Sequence, residues 1–255
     1  MPLHLVTVPC LADNYAWLIH DPATGATAAV DVPDATPILD ALSARGWTLN
    51  DILITHHHSD HIQGVEALRA ATGARVTGAA ADAHRLPPLD RTVTEGDTLT
   101  IGTATGHVID VPGHTLGHIA FHFPEDALCF TADSLMAGGC GRLFEGTPDQ
   151  MHASLAKLAS LPPRTQICSG HEYTASNLSF AVTLEPANPD LMLRIDAVHE
   201  ARAKGHPTVP SLLALELATN PFLRAHLPAL KAAVGLPDAP DSIAFAAIRR
   251  AKDHF

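Results

Sequence analysis

The 255-residue sequence has no C-x-x-C pair, no long apolar run, no excess of positive charge and no G-x-S-x-G turn. Each gap removes a class of protein. Its four cysteines, Cys10, Cys129, Cys140 and Cys168, stand far apart. They read as free thiols in a reducing compartment, not as a disulfide framework. No apolar stretch approaches the ~18–20 residues of a membrane span, so no membrane partner is expected. The first 14 residues lack a basic stretch followed by an apolar one, so the expectation is a cytoplasmic protein without a secretory leader. Sixteen Lys and Arg against 27 Asp and Glu give a formal net charge of −11, which argues against a nucleic-acid binder. Without G-x-S-x-G there is no serine-nucleophile elbow, and Cys140, in a Gly-rich turn with no adjacent base, reads as a small buried residue.

What is present is a globular composition, 46% hydrophobic and 17% charged, long enough for one large domain or one plus a small second. Histidine is over-represented: 17 residues, more than Lys and Arg together. Such an excess suggests a metal, and its spacing is what decides.

Up to about residue 173 the pattern is strands and helices in mixed order. Runs 4–9, 15–20 and 27–32 are β-prone and broken by turn residues. Residues 36–46 have helical spacing and stop at Gly46, a natural C-cap. Asp51-Ile52-Leu53-Ile54-Thr55 reads as a buried strand, followed by a His-rich segment and a helix over 64–72. Strands are predicted at 91–99, 107–111, 119–123, 128–131 and 166–168. Thr147-Pro148-Asp149-Gln150 is a capping-box pattern opening a helix to about 160. Beyond 174 the strand-like runs cease, and helices are predicted at 188–204, 211–219 and 242–252. The expected organisation is a two-layered α/β domain, 1–173, with a small helical domain, 174–255.

The sharpest feature is Thr55-His56-His57-His58-Ser59-Asp60-His61, on the loop between a strand and a helix, where α/β folds place chemistry. Four residues in six positions, His56, His58, Asp60 and His61, are metal-ligand types. Alternation along an extended segment sends 56, 58 and 60 to one side, and His57 to the other as a bystander. One loop cannot fill two coordination shells. His114, Asp133 and His171, each at the end of a predicted strand, complete a set of five histidines and two aspartates. His118, at the start of a predicted strand, reads as a core histidine.

His56-x-His58-x-Asp60-His61, His114, Asp133 and His171, in this order, resemble the metallo-β-lactamase superfamily, and nearly the whole chain resembles its glyoxalase II (hydroxyacylglutathione hydrolase) family. Asp13-Asn14-Tyr15, residues 137–146, His171-Glu172-Tyr173-Thr174, Asn220-Pro221-Phe222-Leu223-Arg224 and Arg249-Arg250-Ala251-Lys252-Asp253 also carry the resemblance. It implies an αββα sandwich of two mixed sheets flanked by helices, plus a C-terminal helical domain that binds substrate. It implies two divalent metal ions per chain, zinc being expected, with iron and manganese as alternatives. One ion would take His56, His58 and His114, the other Asp60, His61 and His171. Asp133 would bridge them beside a shared hydroxide, with Asp60 and Asp133 the catalytic carboxylates. The implied reaction is hydrolysis of S-D-lactoylglutathione to glutathione and D-lactate, in methylglyoxal detoxification, by a monomer whose partner is that small molecule.

Glutathione carries carboxylates, so an acidic chain must gather local positive charge. The family's glutathione-binding positions fall on Arg142, Tyr173, Arg249 and Lys252, and the last two share a face of the predicted final helix. The sequence departs from the family pattern at Arg142 (often Lys), at Phe144 (commonly Tyr) and at Gln63-Gly64 (usually two glycines), without removing a metal ligand. A persulfide dioxygenase, or another hydrolase of the superfamily, is the alternative. A non-catalytic binding protein on the same scaffold would be marked by lost ligands, and all seven are present.

Overall fold

The computed structural model describes residues 2–255. They form two compact units, one of residues up to Asp110 together with Thr115–Ala132, the other of Val111–His114 together with Asp133–Phe255.

In the first unit β1 (His4–Cys10), β2 (Asn14–His20) and β3 (Thr27–Val30) form an antiparallel meander. After helix α1 (Ala35–Arg45) the chain adds β4 (Asp51–Leu53) parallel to β3. Two helices, α2 (Ser59–Ile62) and α3 (Val65–Thr72), precede β5 (Arg75–Ala79) and β6 (Arg91–Val93), which extend the sheet in parallel to the order β1-β2-β3-β4-β5-β6. β7 (Thr98–Ile101), β8 (Ala104–Asp110), β9 (Ile119–Phe123) and β10 (Leu128–Ala132) form the unit's other sheet, antiparallel in chain order. Burial sets this layering. Ile38 and Leu42 of α1 and Val65 and Leu68 of α3 cover one face of the first sheet, against Ile52, Val76 and Leu18. Its other face meets the second sheet, where Trp17 of β2 stands edge-on to Phe130 of β10 at 6.4 Å. β2, β9 and β10 are buried along their whole length, as strands covered on both sides must be.

The second unit opens with the hairpin β11 (Leu135–Met136) and β12 (Gly139–Cys140). Helix α4 (Pro148–Ala159) follows, with the expected capping box at Thr147 and Gln150. Then come β13 (Gln166–Ser169), α5 (Thr174–Leu184), α6 (Pro189–Ala203), β14 (Ser211–Leu212), α7 (Leu213–Thr219), α8 (Pro228–Ala233) and α9 (Asp241–Asp253). Within this unit α4 packs on α9, where His152 meets the Phe245 ring at 5.4 Å, and β13 pairs with β14.

Local departures from the expected elements have local causes. The single strand expected over 91–99 is two, β6 and β7, because Gly96, at φ 83°, turns the chain between them. Residues 211–212 pair as a strand before the helix expected over 211–219 begins. β5 and α5 carry no clear period in the sequence, since β5 is Arg-Val-Thr-Gly-Ala and α5 is apolar nearly all round. Helix α1 ends as expected, with Gly46 in the left-handed region. All four cysteines are buried free thiols. No helix among the described residues is long and apolar enough to cross a membrane.

Candidate metal centre

The first unit supplies one cluster. The segment leaving β4 is buried at Thr55 and His56, and α2 then turns His61 back inward. The His56 ring lies 4.8 Å from that of His58 and 4.2 Å from that of His61. Behind them stands Asp31, which sequence reasoning missed. It accepts the Thr55 backbone N–H at 2.9 Å, the Thr55 hydroxyl at 2.8 Å and His61 Nδ1–H at 2.8 Å. With its own hydrogen given to Asp31, the Thr55 oxygen accepts from His56 Nδ1 at 3.1 Å. A carboxylate and a committed hydroxyl can only accept here, so both imidazoles carry the proton on Nδ1 and the lone pair on Nε2. That is the arrangement in which histidines ligate metals. The only signal for Asp31 in the sequence is an aspartate just past a strand. Its φ of 55°, uncommon outside glycine, marks a backbone held against local preference.

Asp60 is steered separately. Asn14 Nδ2 donates to its Oδ2 and to its backbone carbonyl, both at 3.1 Å. His57 Nδ1 lies 3.1 Å from Asp82 Oδ2, and its ring stands 4.9 Å from that of His58. His118 is buried as expected, but it also stacks on His56 at 4.6 Å, 11° from parallel, and so braces that ring.

The second unit supplies the other cluster. Asp133 Oδ2 lies 3.4 Å from His114 Nε2 and 3.3 Å from His171 Nε2. All three residues are buried. His114 Nδ1–H donates to the Arg142 carbonyl at 2.7 Å, which again makes Nε2 the basic nitrogen. Gly113, at φ 150°, makes the turn before His114, and a Cβ there would meet Met151 at 2.7 Å. Tyr173 stacks on His171 at 4.7 Å, and Phe144, 61% exposed, stands edge-on to His114.

The donor set fits divalent metal ions. Ligand distances of about 2.0–2.2 Å put neighbouring donor atoms of a tetrahedral site roughly 3.3–3.6 Å apart. The Asp133–His114 and Asp133–His171 separations match that spacing, and both are long for charge-assisted hydrogen bonds. Imidazole and carboxylate together suit zinc, iron and manganese alike.

Replacing Asp31 tests its part in this arrangement. Oδ2 of Asp31 takes both His61 Nδ1–H and the Thr55 hydroxyl while Oδ1 takes the Thr55 backbone N–H, so in Asp31→Asn the amide NH2 must face one of these two sets of donors. Zinc affinity, measured by chelator competition, is expected to fall about 10–100-fold with little change in fold.

Around the second cluster lie the basic residues expected to hold glutathione. Arg142 has a mostly exposed side chain with Nε 3.7 Å from Asp253 Oδ1. Arg249 is buried beneath the Phe222 ring, donates to the Cys140 carbonyl at 2.9 Å and pairs with Asp253 at 2.9 Å. Lys252 donates to the Ser176 carbonyl at 3.1 Å, and burial, with Arg249 nearby, pulls its ammonium below the ordinary lysine range. Burial pushes the Cys140 thiol up to about 11, which fits a structural residue and not a nucleophile at neutral pH.

Comparison with known proteins agrees with this architecture over the full length. The family model described as metallo-beta-lactamase superfamily matches residues 11–171, and that described as hydroxyacylglutathione hydrolase C-terminus matches residues 172–255. A hydroxyacylglutathione hydrolase of Cereibacter sphaeroides (strain ATCC 17023) is 66% identical over 255 residues, covering 100% of both chains. Among solved structures, the BLEG-1 B3 metallo-beta-lactamase superposes with a TM-score of 0.68 at 23% identity, over 86% of this chain and 99% of that one. TTHA1623 in a di-iron-bound form gives a TM-score of 0.63 at 27% identity, over 86% of this chain and 100% of that one. The fold is therefore the metallo-β-lactamase fold, two mixed sheets with flanking helices, continued by a C-terminal helical region. With the two models together matching residues 11–255 and two thirds of its residues shared with such a relative, the chain belongs to the hydroxyacylglutathione hydrolase family of the metallo-β-lactamase superfamily.

Proposed function

We propose that this chain is a metal-dependent thioester hydrolase that cleaves S-D-lactoylglutathione, and related S-(2-hydroxyacyl)glutathiones, to glutathione and the hydroxy acid. The observation that carries this reading is full-length similarity to hydroxyacylglutathione hydrolases in a chain that retains all seven ligand-type residues. His56, His58 and His114 would hold one divalent ion and Asp60, His61 and His171 another, with Asp133 shared and zinc the metal in both. When bound, such ions lower the pKa of a water toward neutrality, from about 15.7 in bulk, and polarise the acyl oxygen.

The remaining work falls to the protein. Asp60, held by Asn14, and Asp133 would orient the attacking water. Water adds to the acyl carbon, the C–S bond breaks, and the products are a carboxylate, a thiol and a proton. A thiol of pKa ~8.5 leaves without a strong general acid, so no acid residue need be found. Arg142, Tyr173, Arg249 and Lys252 bind the glutathione part, and residues 174–255 act as the substrate-binding domain of a cytoplasmic monomer.

The direct test is steady-state hydrolysis of S-D-lactoylglutathione, with metal content assayed on the same sample. Fast turnover lost on chelation is expected. An inactive protein that still binds about two ions would move the substrate elsewhere in the superfamily, and glutathione persulfide in an oxygen electrode would be assayed next. Arg142→Ala is expected to raise KM about 10- to 100-fold and leave kcat within a factor of two. A charge-assisted hydrogen bond of about 1.5–3 kcal/mol to the carrier is lost, and that contact is equally present before and during reaction.

A further inference from the structure

The second unit buries an ion pair that the proposed reaction does not use. Arg194 of α6 and Glu216 of α7 have side chains 3% and 0% exposed and are hydrogen-bonded to each other. Arg194 also donates to Thr219 Oγ1 at 2.7 Å and Ser211 Oγ at 3.0 Å. The other carboxylate oxygen of Glu216 accepts the Gly138 backbone N–H at 2.8 Å and Asn220 Nδ2 at 3.0 Å. Asn220 Nδ2 in turn donates to the carbonyls of Met136 and Gly139, at 3.1 and 2.9 Å.

A buried ion pair is a poor device for stability alone, since well-packed apolar residues of similar volume commonly serve as well or better. What apolar side chains cannot do is accept the N–H of Gly138, at φ 68° in the turn between β11 and β12. The chain emerging from that hairpin carries two further carbonyls. Cys140 O accepts from Arg249, and Arg142 O accepts His114 Nδ1–H.

We infer that Arg194 and Glu216 are a positioning pair: Arg194 fixes the Glu216 carboxylate, the carboxylate fixes the β11–β12 hairpin, and the hairpin sets the Arg142 carbonyl that orients His114. Its effect on catalysis rests on the hydrolase reading above, whereas its effect on the hairpin and on zinc does not.

The experiment uses the full-length, zinc-loaded protein and two variants, Glu216→Gln and the double change Arg194→Met with Glu216→Met. Amide hydrogen exchange of segment 135–142, zinc retention against a chelator, Tm, kcat and KM are measured together. In Glu216→Gln the Gly138 amide is expected to exchange at least tenfold faster. Zinc affinity should fall about tenfold, the size typical of lost support behind a metal-bound histidine. For the thioester, kcat should fall with KM within twofold. The double variant should hold Tm within a few degrees of the parent while losing the same exchange protection and zinc retention. Parental exchange and zinc retention in Glu216→Gln would overturn the inference. So would a double variant that regains zinc retention along with Tm, because burial alone would then suffice. Should Glu216→Gln not fold, the double variant decides by the same two readouts. A parent protein inactive on the thioester would sink the substrate reading, and the exchange and zinc measurements would still decide the positioning role.

Discussion

On the proposed two-ion reading, Asp133→Asn is expected to leave the purified protein with fewer than one bound metal ion per chain, and to lower kcat/KM by at least about 1,000-fold, or about 4 kcal/mol. The loss follows from the place of one atom. Oδ2 of Asp133 is 3.4 Å from His114 Nε2 and 3.3 Å from His171 Nε2, so one carboxylate oxygen serves both histidines. His114 is held in the tautomer that bears its lone pair on Nε2. An asparagine has the same shape but is neutral. It presents either an uncharged oxygen or an N–H₂ group that would donate to those nitrogens. The change adds no bulk, so Tm should move little, which separates loss of ligand from loss of fold. Elemental analysis of the dialysed variant beside its kinetics is the measurement. Retention of two ions would remove Asp133 from its shared position.

Gly141→Ala is expected to do comparable damage through space alone. A Cβ at Gly141 would sit 1.9 Å from the Asp133 carbonyl oxygen and 3.0 Å from His114 Nδ1. The obstruction is backbone, which cannot rotate aside as the end of a side chain can. The segment carrying Asp133 must move, or the Cys140–Arg142 segment must, and the latter breaks the hydrogen bond that His114 gives to the Arg142 carbonyl. Overpacking of this kind costs about 1–3 kcal/mol, which for a chain of this size is roughly 2–12 °C in Tm. Turnover should fall at least about 100-fold, because a displacement near 1 Å at a reacting centre costs on that order. A variant with parental activity and Tm would show that the chain yields there without disturbing either residue.

These two effects differ in how far the sequence announces them. The ligand types are legible because His56, His58, Asp60 and His61 crowd into six positions, and because His114, Asp133 and His171 each follow a strand. The space around Gly141 is not legible, since Asp133 and His114 approach it from positions 8 and 27 residues away. The same holds for Asp31, which meets Thr55 and His61 across 24 and 30 positions, and for Glu216, which reaches Gly138 across 78. Periodicity finds an amphipathic element such as α9, with Phe245 and Ile248 buried and Arg250 exposed. It fails where burial is on all sides, as in α5, or where the partners of a polar group lie far along the chain. Arg249 shows the difference. Its place on the last helix can be read in advance, while its burial under Phe222 and its hold on Cys140 depend on contacts across 27 and 109 residues.

The make-up of the second unit has a consequence in time. Four of its residues, Val111–His114, are synthesised before the rest of it, Asp133–Phe255. At about 5–20 residues per second, the 141 residues after His114 take roughly 7–28 s to emerge. Arg142, 28 residues on, follows within roughly 1–6 s, but until the end the imidazole of His114 lacks the fully assembled unit in which it comes to rest. On the proposed ligand set, the His56–His61 segment of a nascent chain would meet metal ions before the other ligand residues are made, so the order of synthesis, and not affinity alone, would bear on which residues bind first.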